Sequence, residues 1–164
     1  MPGIAGKRDT WGGREKIELE SALHKAIERN ELVLYYQPKI DVRGARMVGA
    51  EALMRWQRGD KLVPPGDFIP LAEETGLIVP LSEWALREAA RQAKVWQLNF
   101  GFSDSIAVNL PNRLFERTDL VDHIHQAVTH YGVPHHSIEF GRLILDRALV
   151  HGISNYIKGV GECI

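Results

Sequence analysis

The sequence lacks the features that several common classes of protein require. Its single cysteine, Cys163, excludes an intrachain disulfide and a thiolate zinc cage, and is typical of a reducing, cytoplasmic environment. No stretch is apolar for long enough to span a membrane, and the first ten residues contain no apolar core of a signal peptide. With 20 basic and 21 acidic residues the net charge is −1, so duplex nucleic acid is not expected as the main ligand. A small phosphate ligand remains compatible with this composition.

Several catalytic motifs are also missing. No serine lies in the glycine pattern of a nucleophile elbow, and no phosphate-binding glycine loop of the Walker type occurs. His123 and His125 are two positions apart on a predicted helix and therefore point in different directions, which favours solvated side chains over a metal site. The adjacent His135 and His136, in a predicted loop, are interpreted in the same way.

The hydrophobic content of 45% is sufficient for one core, and its periodicity predicts helices alternating with strands. Pro38 is expected to close the first strand because it cannot donate a backbone hydrogen bond. Alternating strands and helices imply a parallel α/β arrangement. The predicted helices cover residues 14–30, 71–76 (about one turn), 81–98 and 118–131; the predicted strands cover 32–37, 47–56, 105–110 and 137–140; and residues 58–61 and 64–67 are expected to be loops.

The predicted second strand carries a carboxylate and a guanidinium four positions apart in an otherwise apolar run. Because side chains alternate along a strand, Glu51, Leu53 and Arg55 share one face. A buried carboxylate needs a hydrogen-bonded, ionic or metal partner. Two interpretations remain open: a simple Glu–Arg pair on a solvated strand, or a cavity that combines a metal-binding acid with a phosphate-binding base.

Four motifs occur in order along the chain. They are Tyr36-Gln37-Pro38, Glu51-Ala52-Leu53-Met54-Arg55-Trp56, the segment Pro65-Gly66-Asp67-Phe68-Ile69-Pro70-Leu71-Ala72-Glu73-Glu74-Thr75-Gly76-Leu77-Ile78, and Val108-Asn109-Leu110. In sequence, order and approximate spacing these motifs resemble those of the EAL family, which is named for the tripeptide Glu51-Ala52-Leu53. The resemblance runs from about Lys16 to Glu139.

The resemblance implies a TIM-type (β/α) barrel that binds cyclic di-GMP at the C-terminal ends of its strands. In active members two divalent ions, Mg²⁺ or Mn²⁺, support hydrolysis to the linear dinucleotide. The metal ligands implied here are Glu51, the family's catalytic position, and Asn109, through its carbonyl oxygen. The implied ligand-binding residues are Gln37, on the guanine–ribose side, Arg55, at a phosphate, and also Pro38 and Leu53.

The resemblance weakens towards the C-terminus. The family's third metal ligand is a second glutamate on the next strand, but direct alignment places Gly141 there, and a shifted register places Leu143. No Asp-Asp pair occurs in the chain, and the surroundings of Lys158 differ from those of the family's catalytic lysine. A complete barrel typically needs about 250 residues, whereas this chain has 164.

We therefore expect a flexible leader over residues 1–13, an EAL-like domain over 14–141 forming a partial barrel, and a divergent tail over 142–164. The preferred hypothesis is a degenerate EAL protein that acts as a regulator by binding cyclic di-GMP or a protein partner, without a confident metal cofactor. One alternative is a metal-dependent phosphodiesterase whose missing ligands come from a partner chain, and another is a non-functional fragment. Because an incomplete barrel exposes an edge strand, a homodimer is also expected.

Overall fold

A computed structural model of the protein describes residues 13–142 and the backbone of residues 157–158. The predicted leader and tail lie almost entirely outside these residues. The helices are α1 (Gly13–Ala26), α2 (Pro65–Thr75), α3 (Ile78–Phe100), α4 (Asn112–Phe115) and α5 (Leu120–Tyr131); the strands are β1 (Leu32–Asp41), β2 (Arg46–Arg58), β3 (Lys61–Val63), β4 (Ser105–Leu110), β5 (Ile138–Arg142) and β6 (Ile157–Lys158).

The long helix α3 forms because small and apolar residues recur along one of its faces. Ala85, Ala89 and Ala93 are at most 4% exposed, so the helix packs closely on the sheet. It ends at Gly101, whose backbone adopts a left-handed φ of 66° and whose N–H donates to the carbonyl oxygen of Gln97. A glycine tolerates this conformation without steric cost, which explains why the helix stops there.

The described strands form one mixed sheet with the order β5-β4-β2-β1-β6, and β3 pairs with β2 at the side. Strands β2, β4 and β5 are parallel, which confirms that part of the prediction. Strands β1 and β2 instead form an antiparallel hairpin in which Gln37 lies opposite Glu51, and β6 is antiparallel to β1. The short connection between Asp41 and Arg46 is therefore sufficient to bring Gln37 opposite Glu51.

The two faces of this sheet differ in polarity. One face carries Tyr36, Ala50, Ala52, Ile106 and Val108, all buried against α3 and its neighbours. The opposite face, which we call the inner face, alternates with it in the strand register. Its residues are Tyr35, Gln37, Lys39, Gly49, Glu51, Leu53, Arg55, Ser105, Ala107, Asn109, Glu139 and Gly141.

Several local predictions were wrong. Helix α1 ends at Ala26 instead of Asn30, because residues 27–30 form a turn in which Asn30 adopts a left-handed φ of 53°. Strand β1 continues through Pro38 to Asp41. The described ladder between β1 and β6 involves only Tyr35 and Tyr36, so the missing N–H of Pro38 removes no bond from it.

The other two errors concern segments that were expected to be short or irregular. Lys61 begins the short strand β3 instead of closing a loop. Residues 65–67 belong to α2, which spans three turns rather than one, because a proline at the first helical position needs no hydrogen-bond partner for its nitrogen.

Candidate functional site

The predicted acid and amide meet on the inner face. Glu51 is on β2 and Asn109 is on β4, and both are half-buried. The Nδ2 atom of Asn109 donates a hydrogen bond of 2.6 Å to Oε1 of Glu51. The amide nitrogen therefore faces Glu51, whereas the resemblance implied that the carbonyl oxygen of Asn109 would act beside that carboxylate.

Gly141 completes this contact from β5. The parallel register places Gly141 directly opposite Asn109, at the level of the site. A Cβ atom on Gly141 would lie only 2.5 Å from Oδ1 of Asn109. The side-chain oxygen of Asn109 thus occupies the space in which a side chain at position 141 would begin. Gly141 is the residue that direct alignment places at the family's third ligand position; Leu143, which a shifted register places there, lies outside the described residues.

The remaining predicted ligand-binding residues are divided between the two faces. Gln37, Leu53 and Arg55 lie on the inner face with Glu51. The Nη1 atom of Arg55 donates to the backbone oxygen of Met54 at 2.8 Å, and its guanidinium carbon lies 5.7 Å from the ring centroid of Tyr35. Pro38 pairs with Ala50 and, by alternation, lies on the helix-packed face. The structure therefore brings five of the six predicted residues to one surface, and Pro38 is not among them.

A second polar cluster on the inner face was not predicted. The ammonium group of Lys39 lies 2.9 Å from Oε2 of Glu139, and the hydroxyl of Ser105 donates to Oε1 of Glu139 at 2.5 Å. The hydrogen bonds from Ser105 and Lys39 lower the pKa of the Glu139 carboxyl below its ordinary value. The first strand was expected to close at Pro38, so the alternation of Lys39 with Gln37 was not considered, and nothing local links Lys39 to a residue 100 positions away.

A third cluster lies beside a groove of about 550 Å³ between α3 and α5, on the helical side of the sheet. Arg117 makes two hydrogen bonds to Asp119, at 2.8 and 2.6 Å, and lies 3.4 Å from Glu83. Nδ1 of His123 is 2.9 Å from the same Glu83 oxygen. This arrangement is an ion-pair network between helices, and the half-buried imidazole of His123 is paired with Glu83 instead of being solvated as expected.

Among the described residues, the inner face does not offer the donor set that two divalent ions need. Mg²⁺ and similar hard cations prefer about six oxygen ligands. Glu51 and Asn109 bring side-chain oxygens, Gly141 brings none, and the carboxylate of Glu139 is engaged by Lys39 and Ser105. Within residues 13–142, no group of three or more His, Cys, Asp or Glu side chains is arranged to hold a metal ion.

The chain belongs to the EAL domain family, because the family model matches residues 20–153. EAL domains have a TIM-type barrel, of which this chain covers a part. The match includes residues 142–153, which the sequence analysis assigned to the tail, so the domain limits remain predictions. None of the helices in the described part of the chain is both long enough and apolar enough to cross a bilayer.

Similar proteins come from several bacteria. The chain is 44% identical over 135 residues to the bifunctional diguanylate cyclase/cyclic di-GMP phosphodiesterase MucR of Pseudomonas aeruginosa, a match that covers 81% of this chain and 19% of MucR. It is 40% identical over 131 residues to the signalling protein YkoW of Bacillus subtilis, covering 78% of this chain and 16% of YkoW. The chain thus spans less than a fifth of the length of these relatives.

Solved structures show the same fold. A MucR phosphodiesterase in complex with c-di-GMP superposes with a TM-score of 0.70 at 42% identity, covering 75% of this chain and 50% of that one. The FimX EAL domain of Xanthomonas citri in complex with c-di-GMP also gives a TM-score of 0.70, at 23% identity, covering 77% of this chain and 49% of that one. About half of each solved chain has a counterpart here.

Proposed function

We propose that this chain is a degenerate EAL domain that binds cyclic di-GMP, or a protein partner that responds to it, and does not hydrolyse the nucleotide by itself. The observation that carries the proposal is that Gly141 lies opposite Asn109. By the direct alignment with the EAL family, active members have a carboxylate at this position. With that carboxylate missing, Glu51 and Asn109 hydrogen-bond to each other.

The recognition side of the site supports nucleotide binding. Gln37, Leu53 and Arg55 share the inner face with Glu51, and Arg55 supplies a permanent positive charge for a phosphate. The guanidinium carbon of Arg55 lies 5.7 Å from the ring centroid of Tyr35, a cation–π contact that helps to orient the guanidinium. The MucR and FimX domains were both solved with c-di-GMP, which supports the same ligand for this chain.

The name of MucR favours a second candidate, hydrolysis of cyclic di-GMP to the linear dinucleotide. This would require Mg²⁺ or Mn²⁺ and carboxylates donated by a partner chain, because the described residues do not supply them. A homodimer is one arrangement that would bring such ligands. The third hypothesis, a fragment without function, predicts neither binding nor turnover.

Two measurements on the full chain test the proposal. The first is chromatographic detection of linear dinucleotide after incubation with cyclic di-GMP and Mn²⁺. We expect no product; product that disappears in the Glu51→Ala variant would establish the second candidate instead.

The second measurement is titration calorimetry with cyclic di-GMP. Arg55→Ala is expected to weaken binding at least about tenfold, since a charge-assisted hydrogen bond to an anion contributes about 1.5–3 kcal/mol. Arg58→Ala is the matched control: Arg58 is on the same strand and also 5.7 Å from an aromatic ring, that of Trp56, but it lies on the other face. If the unaltered chain does not bind, a direct role in nucleotide recognition is ruled out.

A further inference from the structure

We propose that Lys39 is a positioning residue whose ion pair with Glu139 joins β1 to β5 across the inner face and thereby sets the curvature of the surface that carries the residues proposed to bind the nucleotide. This inference rests on the proposed function, because Gln37 and Arg55 lie on β1 and β2, within the part of the sheet that this ion pair spans. Lys39 reaches Glu139, which is three strands away in the order β1-β2-β4-β5.

The geometry requires the sheet to curve towards this face. Neighbouring strands are about 4.8 Å apart, so three steps amount to about 14 Å in a flat sheet. Side chains stand roughly perpendicular to a sheet, and two of them can bridge such a gap only if the outer strands tilt towards each other. The 2.9 Å separation between Lys39 Nζ and Glu139 Oε2 is therefore a contact that depends on curvature.

Gly49 provides the path for this contact. Gly49 is on β2, where it pairs with Lys39 of β1 on one side and with Ser105 of β4 on the other. A Cβ atom at Gly49 would lie 3.6 Å from Cδ of Lys39 and 2.9 Å from the backbone oxygen of Ser105. The lysine stem thus passes beside a position without a side chain, and Ser105 holds the second oxygen of the Glu139 carboxylate.

The contact also lies next to the proposed site. Gln37, Glu51, Ala107 and Glu139 are aligned across the four strands in one row of the inner face. Lys39 and Ser105 both donate to the carboxylate of Glu139, and the ammonium group of Lys39 offsets its charge. A change in the separation of β1 and β5 would alter the curvature of the surface on which Gln37 and Arg55 are proposed to contact the nucleotide.

The effect of this ion pair is expected in geometry more than in global stability. The Lys39 and Glu139 side chains are 40% and 55% exposed, and exposed pairs of this kind contribute little to folding. We expect the Lys39→Met variant, which keeps the stem but removes the charge, to bind cyclic di-GMP about fivefold more weakly, the equivalent of about 1 kcal/mol. Its thermal unfolding midpoint should change little.

The separation of β1 and β5 can be measured without any ligand by double electron–electron resonance between two spin labels on introduced cysteines. The native cysteine is first removed by Cys163→Ser. One label is placed at Val42, which is 91% exposed in the β1–β2 connection, and the other at the exposed His136 just before β5. Lys39→Met and Glu139→Gln should each increase the mean distance between the labels or broaden the distribution of that distance. Lys61→Met, at an exposed lysine of β3, is the matched control and should leave it unchanged.

The double variant Lys39→Glu/Glu139→Lys distinguishes the ion pair from general damage to the fold, because the reversed pair should restore both the separation and the affinity. An unchanged separation in Lys39→Met would overturn the proposal, and so would a longer separation with unaltered affinity. If the unaltered chain binds no cyclic di-GMP, the proposed function fails, while the label separation still decides whether Lys39 sets the spacing of the strands.

Discussion

Asn109 lies between Glu51 and Gly141, with its amide nitrogen 2.6 Å from a Glu51 oxygen and its carbonyl oxygen in the space that a Cβ atom of Gly141 would enter. The three residues are on strands β2, β4 and β5, so the contact spans the parallel part of the sheet. The hydrogen bond gives the half-buried carboxylate of Glu51 a partner. The absence of a side chain at position 141 therefore leaves room for the conformation in which Asn109 donates this hydrogen bond to Glu51.

Gly141→Ala should destabilise the fold by about 1–3 kcal/mol, because the new methyl group forces Asn109 to rotate and weakens its bond to Glu51. Urea denaturation measures the change. Gly66→Ala is the matched control, since Gly66 is exposed with nothing within 4 Å of its added Cβ, and it should stay within about 0.5 kcal/mol. Equal effects of the two variants would show that Asn109 has room to move, and Asn109→Ala should reduce the cost of Gly141→Ala.

Gly49→Ala should cost more than Gly141→Ala, about 2–4 kcal/mol, because the obstructing atom is the backbone oxygen of Ser105, 2.9 Å away, which cannot rotate aside. Its φ of 150° adds strain for any other residue. Gly59→Ala separates the two causes, since Gly59 has a φ of 60° but open space around it, and should cost about 1–2 kcal/mol. If Gly49→Ala is no worse than Gly59→Ala in urea denaturation, the close approach of β4 does not matter.

Removal of divalent ions should leave cyclic di-GMP binding unchanged within about twofold. The physical reason is that Glu51 and Asn109 satisfy each other, and hard cations need more oxygen ligands than the inner face offers. Calorimetry in excess chelator, compared with calorimetry in Mn²⁺, makes the test, with Arg55→Ala as the variant that should lose affinity in both buffers. A collapse of affinity in chelator would mean that a bound ion takes part in recognition.

The sequence predicted the regular elements well where one physical signal dominated. Strand β4 has the predicted bounds, because six mostly apolar residues are enclosed by polar turn residues and a proline. Helix α3 extends three residues before and two after the predicted range, since its apolar stripe begins at Ile78. The three-residue strand β3 was missed because so short a segment has no periodicity. The prediction ended β1 at Pro38 because a sequence does not show whether the position that lacks an N–H needs a hydrogen bond to a neighbouring strand.

The candidate site was predicted less completely. Glu51 and Asn109 were found by resemblance and do meet, but a sequence carries no information on which amide atom of Asn109 faces the carboxylate. The pair of Lys39 and Glu139 could not be anticipated either, because it joins residues 100 positions apart and depends on sheet curvature. Long-range side-chain contacts of this kind follow from strand order, which the sequence pattern does not specify.

Gln92→Met should raise the stability of the fold by about 1–2 kcal/mol. Gln92 is 0% exposed, and within the described residues neither Nε2 nor Oε1 of its side chain has a hydrogen-bond partner. An unpaired buried amide costs about 1–3 kcal/mol, whereas methionine fills a similar volume without polar hydrogens. Gln97→Met on the same helix, at a half-exposed position, is the control and should be nearly neutral.

The hydroxyl of Tyr36 is likewise buried without a partner within the described residues, and burial, followed by the charge of Glu88, raises the pKa of this phenol. Tyr36→Phe should therefore be neutral or stabilising in the same urea series. A loss of stability in either Gln92→Met or Tyr36→Phe would show that the polar atoms do have a partner.

Asp119 should make folding stability depend on pH at the acid end. The hydrogen bonds from Arg117 lower the pKa of Asp119 from 3.8 to about 2 in the folded chain. Because the folded pKa is depressed, the stabilisation is fully present above pH 3.8 and is lost as the pH falls towards 2. Urea denaturation at several pH values should show Asp119→Asn less stable than the unaltered chain at pH 5, with the difference shrinking by pH 2.5.

The matched control for this prediction is Asp122→Asn, an exposed carboxylate three residues further along in the first turn of α5. Because Asp122 lies outside the network of Arg117, Glu83 and His123, its replacement should not remove the acid-dependent difference. A gap between Asp119→Asn and the unaltered chain that stays constant from pH 5 to pH 2.5 would contradict the assignment. Such a result would mean that the two hydrogen bonds between Arg117 and Asp119 do not persist in solution.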